Sequence, residues 1–182
     1  TLDAVVAVLA GSANTDLVAA LVAAGVAAVG LTGVDAGFGR AVRVGAHAST
    51  SGARVDLGFV GDPVDADPAL LRVLLDRGYA PVVASLGLDG GTILNVNADV
   101  MGCRIAASLP GSTLVIAGAT AGVLDKAGAS IDALDLDGID RVIAEGTATA
   151  GMVAKLSSCR TALTAGASGV RIIDGRALDG AH

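Results

Sequence analysis

Two amides and a carboxylate alternate at Asn95, Asn97 and Asp99, where an apolar run ends and a helical pattern begins. Side chains at a strand end and at the following helix start can point into one crevice, so this set fits the binding of a polar ligand. The same residue types fit a purely structural role, because Asn97 can cap the helix and Asp99 suits its positive end. Taken by themselves, the residues favour the structural role.

A second candidate site lies between Thr147 and Lys155, where small residues lead into a predicted helix. The unpaired backbone N–H groups of such a helix start attract an anion, and Lys155, about one turn into the helix, can add its ammonium to a phosphate. A solvated helical lysine is the alternative, and it is the commoner situation. Residues 118–122 form a third candidate, a flexible strand-to-helix loop that fits either a nucleotide or an ordinary turn.

Well-known catalytic motifs are absent from the sequence, which contains no Walker A motif and no G-x-G-x-x-G, G-x-S-x-G or H-E-x-x-H pattern. The two histidines, His47 and His182, lie in a predicted hairpin and at the last position, which argues against a Ser-His-Asp triad. Cys103 and Cys159 are far apart and form no C-x-x-C pair. We therefore expect small buried thiols, no metal centre and a reduced, cytoplasmic protein.

The composition indicates a chain that can bury a core, since 53% of its 182 residues are hydrophobic and 16% are charged. The net charge of −6 and the aromatic content of 2% exclude a nucleic-acid-binding surface, which needs basic and stacking side chains. We expect no membrane span and no signal peptide, because polar residues and glycine interrupt the apolar runs before roughly 18 residues.

Strands and helices alternate along most of the predicted chain. We predict strands at 26–31, 80–86, 92–95, 113–117 and 169–173, and helices at 17–24, 68–77, 97–109, 139–145 and 151–165. Segments 41–44 and 54–60 predict a hairpin, the one antiparallel excursion. The alternation predicts a single α/β domain whose mostly parallel open sheet is covered by helices on both faces.

Residues typical of helix ends and turns support several of these boundaries. Asn14 or Thr15 is expected to cap the first helix, and Gly25 to end it. The last strand is expected to end in a turn at 174–176 that leaves Arg176 solvated. Because ligands of parallel sheets bind beyond the carboxyl ends of strands, all three candidate sites lie where a ligand is expected.

Seven short blocks of the sequence, in this order, resemble the amino acid kinase family. The blocks are AVGLTG (28–33), DLGFVG (56–61), GYAPVVA (78–84), LNVNAD (94–99), GVLD (122–125), GMVAK (151–155) and IIDGR (172–176). The blocks are distributed from 28 to 176, so the resemblance covers nearly the whole chain. The resemblance implies phosphoryl transfer from ATP-Mg to the side-chain carboxylate of N-acetylglutamate, a step of arginine biosynthesis, on a three-layer αβα sandwich with an open sheet.

Carried over position by position, the resemblance implies a role for each candidate residue. Lys155 would stabilise the transferring phosphoryl group, and Asp99 would organise the catalytic lysines. Asn95 would hold the amino-acid substrate, assisted by Asn97. The residues implied to grip the nucleotide are Gly118, Ala119, Thr120, Gly122, Leu124, Thr147, Thr149 and Gly151. Mg²⁺ would enter with ATP, so no metal site of the protein itself is expected.

The sequence also departs from the family pattern. Ala119 replaces an acidic residue of the nucleotide loop, Ala154 a proline before the phosphate lysine, and Val34 a lysine of an early glycine-rich turn. The family's first strand with its lysine and Gly-Gly pair, a second glycine-rich loop and a substrate-clamping arginine would precede Thr1, and a last strand region would follow 172–176. Two interpretations stay open: part of an active kinase, or a non-catalytic homologue that binds nucleotide or pairs with an active subunit. A homo-oligomer is expected.

Overall fold

A computed structural model describes residues 1–48, 54–119, 122–146 and 148–176. Its helices are α1 (Leu2–Val6), α2 (Asn14–Ala23), α3 (Ala69–Asp76), α4 (Ala98–Ser108), α5 (Leu136–Ala144) and α6 (Ala150–Thr164). Its strands are β1 (Ala28–Thr32), β2 (Gly39–Arg43), β3 (His47–Ala48), β4 (Arg54–Val55), β5 (Val60–Ala66), β6 (Ala80–Ala84), β7 (Leu86–Asp89), β8 (Thr92–Val96), β9 (Thr113–Gly118) and β10 (Gly169–Asp174). The chain divides into two compact units, Thr1–Met101 and Gly102–His182.

The first helical region is continuous from Leu2 to Ala23, because the π-helical segment Ala7–Ala13 joins α1 to α2. Its many alanines offset the roughly 1 kcal/mol by which Gly11 disfavours a helix. By length and composition this helix could cross a membrane, with a mean hydropathy of 1.8 over an 18-residue window. The prediction that polar residues and glycine end the apolar run too early is therefore wrong. An apolar helix packed on a sheet meets the same criterion, so the finding is weak evidence for a span.

Asn14 ties this helix to the parallel strands of the first unit. The prediction that Asn14 or Thr15 caps a helix is wrong, because the helix passes through both residues and the Asn14 side chain makes no capping hydrogen bond. Asn14 Nδ2 instead donates to the carbonyl oxygen of Val82, 2.9 Å away, and Oδ1 lies against Gly30. One polar contact thus fixes how an otherwise apolar helix lies on β1 and β6. The expected end of α2 is confirmed, since Gly25 follows it with a φ of +85°.

We expect Asn14→Ala to lower the free energy of unfolding by about 1–3 kcal/mol, because the half-buried carbonyl of Val82 loses its donor. Ser12→Ala is the matched control, since it brings a similar gain in helix propensity at an exposed position whose hydroxyl makes only a 3.5 Å hydrogen bond to Val8. Urea unfolding of both variants measures the difference. Equal unfolding free energies would contradict the role assigned to Asn14.

The parallel strands β1 and β6 form the sheet on which α2 and α3 pack. Their register places Gly30 opposite Val82. Helix α3 begins one residue after the predicted position 68, where Asp67 Oδ1 accepts a 2.9 Å hydrogen bond from the N–H of Ala69. The predicted strand 80–86 is divided at Ser85 into β6 and β7, so the chain leaves the parallel pair earlier than expected.

Four other strands of the first unit close into a small barrel in the order β2-β5-β8-β7. The β2–β5 and β7–β8 pairs are antiparallel, and the β5–β8 and β2–β7 pairs are parallel. The predicted hairpin between 41–44 and 54–60 is therefore wrong in its pairing, because β2 pairs with β5 while β4 pairs with β3. The expectation of one antiparallel excursion is wrong as well, since β3 with β4 and β7 with β8 also form antiparallel pairs.

Large apolar side chains opposite glycines fill the barrel. Leu94 is 0% exposed. A Cβ built on Gly61 would lie 2.8 Å from Leu94 Cβ, and one built on Gly87 would lie 2.8 Å from Ala41 Cβ. Neither glycine can carry a side chain without movement of its neighbours, because protein interiors are close-packed. This tight fit, rather than the turn sequence, explains why β2 pairs with the more distant strand.

The second unit packs α5 and α6 around the parallel strands β9 and β10. Cys103 and Cys159 are buried thiols in its main apolar cluster, as predicted from their spacing. Helix α5 begins at Leu136 rather than at Ile139, because Asp135 Oδ1 caps it through a 2.7 Å hydrogen bond. The two parallel pairs, with helices alternating between strands, confirm the α/β class.

Candidate functional site

Strands β9 and β10 end side by side, and their common edge carries most candidate residues of the second unit. The last register position pairs Gly118 with Asp174. One residue further on, the N–H of Gly175 donates a 2.7 Å hydrogen bond to the carbonyl oxygen of Gly118. Because ligands of parallel sheets bind beyond the carboxyl ends of strands, this edge is a candidate ligand site.

Lys155 reaches this edge from α6. A Cβ built on Gly118 would lie 3.6 Å from Lys155 Nζ, so the ammonium lies over the end of β9. The lysine is half-buried in the first turns of a helix whose N-cap is Thr149, with Oγ1 accepting a long hydrogen bond of 3.4 Å from the N–H of Met152. The structure thus brings together Lys155 and Gly118, to which the resemblance gives a phosphoryl-stabilising role and a nucleotide-binding role, respectively.

The loop that follows β9 folds back on itself. Leu124 forms an isolated antiparallel bridge with Ser130, and Asp125 accepts two backbone hydrogen bonds inside the turn. Gly122 is buried with a φ of +139°, and a Cβ built on it would lie 3.0 Å from Ser130 Oγ. A side chain at Gly122 is therefore disfavoured by its backbone conformation as well as by crowding.

The remaining predicted nucleotide-binding residues have different locations. Thr120 and Thr147 lie outside the described residues. Ala119 is exposed directly after β9, and Leu124 is half exposed in the loop. Gly151 lies in the first turn of α6, where nothing comes within 4 Å of a Cβ built on it. Open space at a helix start leaves its backbone N–H groups accessible to an anion.

A cavity of about 500 Å³ lies beside β10 in the second unit. Its lining includes Gly122 and Ser130 from the loop and the apolar side chains of Leu156 and Ile172. Lys155 is not among its lining residues. The volume is in the usual range of roughly 300–1,000 Å³ for small-molecule sites, and the mixture of apolar walls with a few polar groups is typical of them.

Arg176 is the residue that the sequence analysis missed. Its Nε and Nη2 donate to the two carboxylate oxygens of Asp174 at 2.9 and 2.7 Å, and Nη2 also donates to the carbonyl oxygen of Ala119 at 2.9 Å. The side chain is exposed as expected, but it is not merely solvated, because it joins the end of β10 to the start of the loop after β9. No local pattern predicts this contact, since the parallel pairing of distant segments creates it.

The same contacts set the charge state of Asp174. Hydrogen bonds from the side chain and from the backbone N–H of Arg176 lower the pKa of Asp174 to about 2. The carboxyl group is therefore ionised throughout the neutral range. The hydrogen bond to Asp174 and the attraction of its charge raise the pKa of Arg176 in turn, which favours the charged form of the guanidinium.

The first unit holds Asn95, Asn97 and Asp99 at the junction of β8 and α4. Leu94 and Val96 are buried in the barrel, so Asn95, between them on the strand, lies on the outer face and is half-buried. Asn97 Oδ1 accepts a 3.1 Å hydrogen bond from a backbone N–H in the first turn of α4, which confirms its structural role. Asp99 is half-buried in that same turn.

Within the part of the chain that the structure describes, no group of three or more His, Cys, Asp or Glu side chains could hold a metal ion.

Comparisons with known proteins agree with this arrangement. A model of the amino acid kinase family matches residues 1–174. Acetylglutamate kinase from Sphingopyxis alaskensis is 42% identical over 175 residues, which cover 93% of this chain and 58% of that protein. Acetylglutamate kinase from Delftia acidovorans is 39% identical over 178 residues, which cover 97% of this chain and 60% of that protein. The chain thus spans about three fifths of the length of these curated relatives.

A solved structure is also similar. N-acetylglutamate synthase from Neisseria gonorrhoeae, complexed with coenzyme A and N-acetyl-glutamate, matches with a TM-score of 0.78 and 26% identity, covering 94% of this chain and 38% of that one. The family model covers the elements that carry every described candidate residue except Gly175 and Arg176, which follow its last matched position. The chain belongs to the amino acid kinase family.

Proposed function

We propose that the protein containing this chain transfers a phosphoryl group from ATP-Mg to the side-chain carboxylate of N-acetylglutamate, a step of arginine biosynthesis. The observation that carries the proposal is the approach of Lys155 Nζ to Gly118 at the carboxyl end of β9. It is supported by the identity of about 40% to relatives named acetylglutamate kinase, which extends over nearly all of this chain.

The proposed chemistry suits the side chains available. Phosphoryl transfer needs positioning and positive charge rather than a covalent nucleophile. Lys155 stabilises the charge that develops on the transferring group. For Asp99, the family resemblance alone supports the proposed role of organising catalytic lysines. Asn95 binds the amino-acid substrate from the outer face of β8. Asn97 assists through the part of its amide that does not cap α4.

ATP is proposed to bind along the edge formed by β9, the following loop and the start of α6. The backbone around Gly118, Ala119 and Gly122 approaches the nucleotide. The N–H groups at Thr149 and Gly151 donate hydrogen bonds to its phosphate oxygens. Mg²⁺ arrives with ATP and neutralises part of its phosphate charge. Thr120 and Thr147 are proposed to contribute by analogy with the family, and Leu124 to cover an apolar face of the base.

We also propose an organisation for the protein. Residues 1–182 are taken as one kinase-like domain. Val8, Leu17 and Val22 expose apolar side chains on the first helix, which supports a homo-oligomer. Reduced, buried thiols support a cytoplasmic location.

A second candidate function is a non-catalytic homologue that binds nucleotide or pairs with an active subunit. Ala119 favours it, because the family has an acidic residue at this position of the nucleotide loop. The exposed Ala119 offers only its backbone, and its carbonyl oxygen is already bonded to Arg176. This candidate predicts binding of ATP without turnover.

Thermal unfolding of the 182-residue chain tests both candidate functions, because each predicts which ligands raise Tm. At a ligand concentration of about 100 times Kd, binding adds about 2.7 kcal/mol to the free energy of unfolding. At roughly 2–4 °C per kcal/mol, we expect ATP-Mg and N-acetylglutamate each to raise Tm by roughly 5–11 °C. Free glutamate, which lacks the acetyl group, is the matched control and should give a smaller shift.

The pattern of shifts decides between the alternatives. Shifts with both ligands support a kinase site and call for a turnover assay. A shift with ATP-Mg alone supports the nucleotide-binding homologue. No shift with either ligand would contradict both proposals for this chain and leave only its family membership.

A further inference from the structure

We infer that Arg176 is a positioning residue of the nucleotide site, where its guanidinium, held by Asp174, fixes the Gly118–Ala119 backbone in the orientation that ATP requires. The inference rests on the proposed function, because it assigns a purpose to the edge at which ATP is proposed to bind. It adds a residue that touches neither substrate nor the reacting atoms and that acts through the loop.

Two successive carbonyl groups of this loop are held from β10. The N–H of Gly175 donates to the oxygen of Gly118 at 2.7 Å, and Arg176 Nη2 donates to the oxygen of Ala119 at 2.9 Å. The C=O and N–H of a trans peptide point in opposite directions. Holding the Gly118 carbonyl toward Gly175 therefore turns the N–H of Ala119 away from β10, where it can meet a ligand. The hydrogen bond from Arg176 to the Ala119 carbonyl restrains the other side of the same residue and so keeps that N–H in place.

The guanidinium is itself held in place. Its Nε and Nη2 form a bidentate pair with Asp174, whose Oδ1 also accepts the backbone N–H of Arg176 at 3.0 Å. The Asp174 side chain is only 21% exposed, whereas that of Arg176 is 71% exposed. The less exposed carboxylate at the strand end thus anchors a longer side chain whose remaining hydrogen bond goes to the loop.

Arginine suits this task better than lysine. A planar guanidinium can bond a carboxylate with two donors while it directs another N–H elsewhere, whereas an ammonium is a point charge on a flexible stem. The turn that presents it is also tightly packed, because a Cβ built on Gly175 would lie 3.2 Å from Ala117 Cβ. Exposed ion pairs contribute little to global stability, so we expect the pair to act on local geometry.

The chain offers a matched control in Arg160. Its Nε and Nη2 form the same kind of bidentate pair with Asp140, at 2.7 and 3.1 Å, in the same unit. Both pairs are exposed on their arginine side and have similar geometry. None of the hydrogen bonds described for Arg160 reaches the loop after β9. Arg160→Ala therefore reproduces the loss of an exposed ion pair without the loss of the loop contact.

Isothermal titration with ATP-Mg and with N-acetylglutamate tests the inference on the 182-residue chain. We expect Arg176→Ala to weaken ATP-Mg binding about tenfold, the loss typical of one hydrogen bond from a charged donor. Binding of N-acetylglutamate should stay within about twofold, and Arg160→Ala should leave both affinities unchanged. Arg176→Lys should restore the charge but not the affinity for ATP-Mg. ATP-Mg affinity within twofold of wild type in Arg176→Ala, or equal weakening of both ligands, would overturn the inference.

Amide hydrogen exchange without ligand separates this inference from the proposed function. Peptides covering residues 117–124 should exchange faster in Arg176→Ala than in wild type or Arg160→Ala, because the loop has lost a contact. If wild type binds no ATP-Mg, the proposed function fails, and faster exchange alone upholds the positioning of this loop. Exchange at the wild-type rate in Arg176→Ala would overturn the positioning role whatever the outcome of the titrations.

Discussion

Lys155→Ala is expected to lower kcat for the phosphorylation of N-acetylglutamate by about 10²–10³-fold, the loss typical of one preorganised charge-stabilising group. Lys155 lies over the end of β9 on a rigid helix, so its charge is in position before the reaction begins. The change should leave KM for N-acetylglutamate nearly unaltered, because the lysine acts on the transferring phosphoryl group. Stability should change by less than about 1 kcal/mol, since no core side chain is removed.

Lys126→Ala provides the control for this prediction, because Lys126 is the other lysine of the sequence. It lies exposed in the same unit and pairs with Glu145 at 3.1 Å. Steady-state turnover of the full-length protein with saturating ATP-Mg, together with Tm, measures both variants. A kcat for Lys155→Ala within a few-fold of the kcat for Lys126→Ala would contradict the role given to Lys155. Absence of turnover in wild type that binds ATP-Mg would support the non-catalytic homologue.

The helices other than the first, and the parallel strand ends, could be predicted to within a few residues because their determinants are local. Asp67 before a proline starts α3, and Gly25 ends α2, each through groups within a few residues. The apolar runs of β9 and β10 are short and bounded by glycine, which is typical of buried parallel strands. These elements alone place Gly118 and the turn after β10 at the carboxyl ends of strands, where a ligand is expected.

The elements that could not be predicted depend on contacts between distant segments. The pairing of β2 with β5 is favoured by how closely Gly61 and Gly87 approach their neighbours in the barrel, which no turn pattern encodes. Asn14 has the residue type of a cap, yet its amide is used between a helix and a strand 68 positions apart along the chain. In both cases, contacts that form only in the folded chain outweigh the local preference of the residues.

The candidate site shows the same division. The sequence predicts that Asn97 caps α4 and also that it binds a ligand. Its observed hydrogen bond to the first turn of α4 confirms the cap, and the ligand role stays a prediction. Arg176 belongs to a block that indicates the family, but its contact with Ala119 needs the register of β9 and β10. Residue type therefore predicts which groups are present, whereas strand register decides which of them meet.

Leu94→Ala is expected to lower the free energy of unfolding by about 3–5 kcal/mol, the upper part of the range for a buried leucine. Leu94 is completely buried in the barrel, and Gly61 packs against it. A glycine has no side chain that could move into the cavity, so the site cannot collapse well. Urea unfolding measures the loss, and Leu75→Ala, at a position that is 49% exposed, should lose less than about 1 kcal/mol.

The same substitution has a functional consequence that depends on the alternation along β8. Leu94 faces the barrel, and Asn95 faces outward from the next position, so a loosened barrel also loosens the amide proposed to bind N-acetylglutamate. At a temperature where Leu94→Ala is still folded, its affinity for N-acetylglutamate should fall while its affinity for ATP-Mg stays near that of wild type. Equal loss of both affinities would argue that the barrel stabilises the whole chain without a particular link to Asn95. Equal stability of the Leu94 and Leu75 variants would instead mean that the barrel interior is not the tightly packed core described.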